Sequence, residues 1–144
     1  MGITEEQIKN HGLKVTPQRV KILEYIKRGS GDHFSAENIH EYVKKENPNI
    51  PAATVYNILK VFTERGLINS FEVNGRAMYE GRVEPHINFY CQSCGKIYDS
   101  EIQGDLKQIE SDVKGKILSS TVLVRGICEE CLTAEKENEI VQEI

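Results

Sequence analysis

No apolar run in this 144-residue chain approaches the ~20 residues that a membrane-spanning helix needs, and a soluble protein is expected. There is no low-complexity tract and no internal repeat, so the chain should fold as one ordinary domain or two small ones. No secretory leader is visible, which points to a reducing cytoplasm and away from a disulfide framework. A basic excess is also missing: 18 Lys+Arg stand against 22 Asp+Glu, a net charge of -4 that taken whole argues against a nucleic-acid partner. Histidine is scarce, with four in the chain and none after residue 86. The remaining composition, 39% hydrophobic and 28% charged, is that of a globular protein.

What the chain does contain is cysteine in a pattern. All four cysteines fall into two matched pairs, Cys91-x-x-Cys94 and Cys128-x-x-Cys131, and the first is followed by Gly95. Two C-x-x-C units supply four thiolates, the closed tetrahedral set that a structural zinc prefers. The 33 residues from Gly95 to Ile127 exceed a minimal zinc ribbon, so the ion would pin a strand-and-helix module. Two disulfides or a redox-active C-x-x-C are the alternatives.

Charge is unevenly spread. Residues 1–82 carry 12 Lys+Arg against 10 Asp+Glu, net +2, and residues 83–144 carry 6 against 12, net -6. A mildly basic first half can approach phosphate, whereas the acidic second half would not. Thr4, with Gln7 three residues on, predicts the cap of a first helix that Gly12 stops. Thr16-Pro17 opens a second, burying Val20, Leu23 and Ile26 before Gly29-Ser30-Gly31. Ser35 begins a third, with Ile39 and Val43 on one face. From Ala52 to Arg65 the spacing of Val55, Ile58, Leu59 and Phe62 predicts a fourth, ended by Gly66, with Thr54, Tyr56, Asn57 and Lys60 on or beside its polar side. Strands over Leu67–Val73 and Ala77–Glu80 flank Asn74-Gly75, a type I′ hairpin dipeptide.

Helices followed by a hairpin is the order of a winged helix-turn-helix, in which the last helix enters the major groove and a hairpin bearing Arg76 and Arg82 follows the phosphates. A helical core with a plain surface hairpin is the alternative. Past a hinge at Gly81–Pro85 the texture turns to strands, at Ile87–Tyr90, Ile97–Glu101 and Val122–Ile127, around a helix over Asp105–Lys114. A final helix carries Leu132 and Ile140. The expected fold class is α+β: a winged-helix domain over 1–82, then a small α/β dimerisation domain over 83–144 with a four-cysteine zinc site and an open strand edge suited to pairing.

Four motifs in order resemble the ferric uptake regulator family, and most of all its peroxide-responsive branch. They are Thr16-Pro17-Gln18-Arg19, His33-x-Ser35-Ala36-Glu37, Ala53-Thr54-Val55-Tyr56-Asn57, and Cys91-x-x-Cys94-Gly95-Lys96 with the later Cys128-x-x-Cys131. The resemblance implies a homodimeric winged-helix repressor with structural Zn²⁺ on Cys91, Cys94, Cys128 and Cys131. It implies a second, regulatory site for Fe²⁺ or Mn²⁺ on His33, Glu80, His86, Asn88 and Asp99. Such nitrogen and oxygen donors suit those ions, whereas thiolates select zinc.

Two positions depart from the branch pattern. Asn88 stands where a histidine is usual, and Glu80 where aspartate is usual. Two others favour the branch: Asp99 is aspartate, and Asn57 replaces the arginine of iron-sensing relatives, exchanging a guanine reader for an adenine reader. His33 and His86 are the two positions at which this branch is oxidised by peroxide at bound Fe²⁺. DNA contact is expected from Tyr56 and Asn57, with Thr54 and Lys60 beside them and Arg19 near the phosphates, although Tyr56 also fits a half-buried core position. His11 and His40 read as surface residues. The expected partners are a double-stranded operator and a second copy of the chain, with no membrane and no small-molecule substrate. An iron- or zinc-responsive repressor is the alternative on the same scaffold. A thiol-disulfide oxidoreductase using Cys91 and Cys94, or a zinc-knuckle interaction module that binds no DNA, represents the other classes. No enzymatic activity is expected.

Overall fold

Local capping chemistry sets the helices of the first half. The computed structural model describes residues 2–29 and 32–143, with side chains through residue 137. Helix α1 (Ile3–Asn10) is capped by Gly2, not by Thr4, which lies inside the helix. The Glu5 carboxylate reaches back to the Gly2 backbone N–H, as the third helical residue of a capping box does. Gly12 follows at φ 76°, a left-handed stop that favours glycine.

Helix α2 (Pro17–Arg28) begins as expected, with Thr16 Oγ1 accepting from the Arg19 N–H at 3.2 Å and Pro17 at the first position. Its inner face is Ile22, Leu23 and Ile26, while Val20 is only half-buried. The apolar stripe is therefore rotated from the expected one, because the i, i+1, i+4 set lies nearer the centre of the core than the i, i+3, i+6 set. Ser30 and Gly31 lie outside the described residues, as does the side chain of Ile140. In α3 (Ala36–Lys44) the Ser35 hydroxyl accepts from the Asn38 backbone N–H, and the Asn38 side-chain oxygen Oδ1 accepts from the Ser35 backbone N–H, a reciprocal cap. Helix α4 (Ala52–Glu64) buries Val55, Ile58, Leu59 and Phe62 and turns Tyr56, Asn57 and Lys60 outward.

Leu67 and Ile68, expected to start a strand, are core residues at 2% exposure each, and the sheet begins after them. Strands β1 (Asn69–Val73) and β2 (Arg76–Glu80) pair antiparallel, Val73 opposite Arg76 and Asn69 opposite Glu80. Between them Asn74 at φ 53° and Gly75 at φ 78° adopt the two left-handed conformations of a type I′ turn. Phe34 adds a bridge on the other side of β2: its N–H donates to the Tyr79 carbonyl at 2.9 Å and its carbonyl accepts from the Tyr79 N–H at 2.7 Å.

The chain divides into two units, Met1–Glu84 and Pro85–Ile144. In the second, β3 (Ile87–Cys91) is the middle strand, antiparallel to β4 (Ile97–Ser100) and parallel to β5 (Val122–Gly126). A parallel pair needs a long crossover, and this one carries α5 (Leu106–Glu110), capped by Asp105 Oδ1. The helix is shorter than the expected Asp105–Lys114. After Glu110 the N–H groups of Asp112 and Val113 bond only three residues back, to Ile109 and Glu110, so the turn tightens and ends. Strand β5 stops at Gly126 and leads through Cys128 into α6 (Glu129–Glu143). Among the described residues no helix is long and apolar enough to cross a membrane.

Candidate functional site

Three groups of side chains carry chemistry. The first is the cysteine cluster of the second unit. Cys91 ends β3, the turn through Cys94 closes with the Gly95 N–H donating to the Cys91 carbonyl at 2.9 Å, and Gly95 takes φ 77°. Cys128 immediately precedes α6 and Cys131 lies in its first turn. One sulfur from each of the four lies within 4.8 Å of the others, with 3.8 Å from Cys91 to Cys131 and 3.9 Å from Cys94 to Cys128. A disulfide needs about 2.05 Å, so these are four free thiols. Four sulfurs at about 2.3 Å from one zinc would be about 3.8 Å apart. The cluster therefore has the dimensions of a zinc tetrahedron.

Electrostatics points the same way. The backbone N–H groups of Cys94 and Cys128 donate to the Cys91 sulfur at 3.4 and 3.3 Å and lower its thiol to about 6. The Ser93 hydroxyl pulls Cys131 down, but Cys128, burial and the other two sulfurs together push it up to about 12. Sulfurs this close cannot all ionise alone, and a dication offsets that repulsion.

The second group comprises two separate sets, one in each unit. In the first, the Phe34 to Tyr79 bridge sets His33 opposite Glu80, and His33 Nε2 lies 3.0 Å from Glu80 Oε2. Glu80 is 1% exposed. Asn69, across the hairpin, donates its side-chain N–H to Glu80 Oε1 at 2.7 Å. In the second unit, His86 and Asn88 are two residues apart at the start of β3, and Asn88 pairs with Asp99 across β4. The three side chains share one face: His86 Nε2 lies 3.1 Å from Asn88 Oδ1 and 3.7 Å from Asp99 Oδ1. His86 is 2% and Asn88 0% exposed, an interior place for an amide whose oxygen faces an imidazole. Each unit thus offers hard nitrogen and oxygen donors of its own, an imidazole and a carboxylate in the first and an imidazole, an amide oxygen and a carboxylate in the second.

The third group is the outer face of α4. Arg19, Thr54 and Asn57 line one depression of about 360 Å³ together with Lys14, Thr16 and Gln18. The Arg19 guanidinium donates to the Lys14 carbonyl at 2.7 Å, which fixes its aim. Tyr56, Asn57 and Lys60 line a neighbouring groove against Ser70 and Tyr79 of the hairpin. Tyr56 is not core. It is 46% exposed, and its hydroxyl donates to Glu37 Oε1 at 2.9 Å. The backbone N–H of Glu37 and that tyrosine hydroxyl hold the Glu37 carboxyl below the usual range, and Arg76 stands 3.7 Å from the same group. His40 is not a plain surface residue either, since its Nε2 lies 2.9 Å from the Ile50 carbonyl and ties α3 to the loop before α4. His11 is exposed, with Nδ1 2.7 Å from the Gln7 carbonyl. Sequence reasoning missed Lys14, Gln18, Glu37 and Asn69. For Asn69 a signal existed, because a two-residue turn at 74–75 already sets it opposite Glu80.

Helices ending in an exposed α4 and a two-stranded wing, joined to a sheet unit with a four-thiol cluster, define a winged-helix protein of the metal-binding kind. The ferric uptake regulator family model matches residues 10–124. The chain belongs to that family. It is 34% identical over 137 residues to the peroxide operon regulator of Bacillus subtilis (strain 168), covering 92% of each chain. It is 32% identical over 143 residues to the ferric uptake regulation protein of the same organism, covering 92% of this chain and 95% of the relative. Among solved structures it is similar to the ferric uptake regulator of Francisella tularensis with iron, with a TM-score of 0.67, 26% identity, and 84% and 96% of the two chains covered.

Proposed function

We propose that this chain is a homodimeric, metal-dependent transcriptional repressor that senses peroxide. The observation that carries the reading is the separation of donor types: thiolates gather in one cluster within the second unit, while His33 with Glu80 in the first unit and His86 with Asn88 and Asp99 in the second are sets of nitrogen and oxygen donors. Cys91, Cys94, Cys128 and Cys131 would hold structural Zn²⁺. His33 and Glu80 from the first unit, with His86, Asn88 and Asp99 from the second, would hold regulatory Fe²⁺ or Mn²⁺. Because these five residues are shared between the two units, binding there selects the arrangement in which both halves of the set are presented together. Tyr56 and Asn57 read base edges in the major groove, while Thr54, Lys60 and Arg19 meet phosphates, in two copies on a palindromic site. The protein acts in the cytoplasm, and as a regulator rather than as an enzyme.

The peroxide signal is supported by the likeness to the peroxide operon regulator and by Asp99 and Asn57. Fe²⁺, when bound, would activate peroxide beside an imidazole, with peroxide as the two-electron oxidant: one of its oxygens goes onto a ring carbon in place of hydrogen and the other leaves as water. His33 and His86, 5% and 1% exposed at the side chain, are the imidazoles that would take up oxygen and cease to be ligands. A gel shift with the metal-loaded protein on its own promoter region tests the repressor. Chelation that leaves the zinc in place should abolish the shift, and a retained shift would overturn the reading. Mass spectrometry after peroxide treatment of the Fe²⁺ form should find one added oxygen on a peptide containing His33 or His86. Unmodified peptides would favour the second reading, an iron-responsive repressor, which the 32% identity to a ferric uptake regulation protein supports.

A further inference from the structure

The hairpin of the first unit does more than present Glu80. We infer that Asn69 is a positioning residue for the regulatory metal, holding the Glu80 carboxylate so that one oxygen is committed to the hairpin and the other is offered beside His33. The inference rests on the reading of Glu80 and His33 as metal ligands.

Glu80 is the middle member of a three-residue row. The hairpin register puts Asn69 directly opposite it on β1, and the Phe34 to Tyr79 bridge puts His33 opposite it on the other side. The Asn69 amide donates to Oε1 at 2.7 Å, and Oε2 lies 3.0 Å from His33 Nε2. The two carboxylate oxygens are therefore assigned to different neighbours. Glutamate has one more rotatable bond than aspartate, and its carboxylate sweeps a wider arc unless something holds it. A charge-assisted hydrogen bond from a strand partner, at a site 1% exposed, removes that freedom. The same strand also steadies the imidazole. Phe71, two residues after Asn69 and so on the same face of β1, meets the His33 ring edge to face, with centroids 5.8 Å apart and an interplanar angle of 71°. One face of β1 thus supports both ligands, and the amide decides which oxygen is presented. A group that orients a ligand in this way governs metal affinity without touching the ion.

Mn²⁺ titration of the full-length, zinc-loaded protein against a chromophoric chelator, with Asn69→Ala, Glu80→Ala and the double variant, tests the inference. Asn69→Ala should weaken Mn²⁺ binding about 10- to 100-fold, the usual scale for losing a ligand's hydrogen-bond partner. In the Glu80→Ala background the same change should alter affinity less than about twofold, because the group through which Asn69 acts is gone. A merely structural role for Asn69 would give the same loss in both backgrounds and would overturn the inference. Wild-type Mn²⁺ affinity in Asn69→Ala, with Glu80→Ala impaired, would overturn it while leaving Glu80 as a ligand. Unchanged affinity in Glu80→Ala would instead remove the ligand reading beneath it. Should the alanine variant fold poorly, Asn69→Ser keeps a small polar side chain too short to reach Oε1 and should show the same loss.

Discussion

Asn88 and Asn57 are amides with opposite exposures, one buried at 0% beside an imidazole and the other on the outer face of α4. The roles proposed for them differ accordingly. An amide oxygen is a weak donor to a divalent transition metal, and an imidazole nitrogen a stronger one. Asn88→His should therefore tighten Mn²⁺ binding by about tenfold or more, the lower end of what site residues contribute. A chelator-competition titration checks it, and an unchanged constant would remove Asn88 from the ligand set. Asn57 can pair bidentately with adenine. Asn57→Arg should shift operator preference toward guanine at one position, by about 1–3 kcal/mol of discrimination, as read by binding to a set of base-substituted operators. At the cysteines, Cys91→Ser removes the sulfur that accepts from two backbone N–H groups, and the variant should lose zinc in a metal-content assay and expose the remaining thiols to a colorimetric reagent.

At the scale of elements, the positions where pattern and structure agree are those where local chemistry is strong. Thr16-Pro17, Ser35 and Asn74-Gly75 each satisfy or pre-set specific backbone groups, and each marks an element boundary in the structure. The disagreements fall where several local solutions are nearly equal in energy. Gly2 with Glu5 competes with Thr4 for the start of α1, and Leu67-Ile68 suit a strand and a core equally well. In the second case burial decided, since full removal of such a side chain from water is worth about 1.5–3 kcal/mol and outweighs pairing two more residues of an edge strand. Leu59, 0% exposed in the middle of α4, carries that helix against the core. Leu59→Ala should cost about 2–5 kcal/mol in urea unfolding followed by circular dichroism, with no change in the outward-facing Tyr56 and Asn57. A loss below about 1 kcal/mol would mean that the helix is held by something other than its apolar stripe.

For the whole molecule, the proposed function assigns stability and regulation to different metals. Removal of the regulatory metal should leave secondary structure and the melting transition of the zinc-loaded protein nearly intact while operator binding is lost. Removal of zinc should unfold the second unit, whose described residues supply only Cys91 and Cys128 as buried apolar side chains. Circular dichroism and gel shifts at graded chelator strength separate the two. Much of this organisation was legible in the order of residues alone. Paired C-x-x-C units, helix caps and a hairpin dipeptide act over a few residues, so their chemistry and the winged-helix order follow from neighbours in the chain. Tertiary structure decided what depends on distant strands meeting. That His33 lies against Glu80, that Asn69 holds the same carboxylate, and that Asp99 shares a face with His86 all come from strand register. Register is settled by which side chains the core accepts, and a shift of one residue would turn the side chains of the slipped strand to the opposite face.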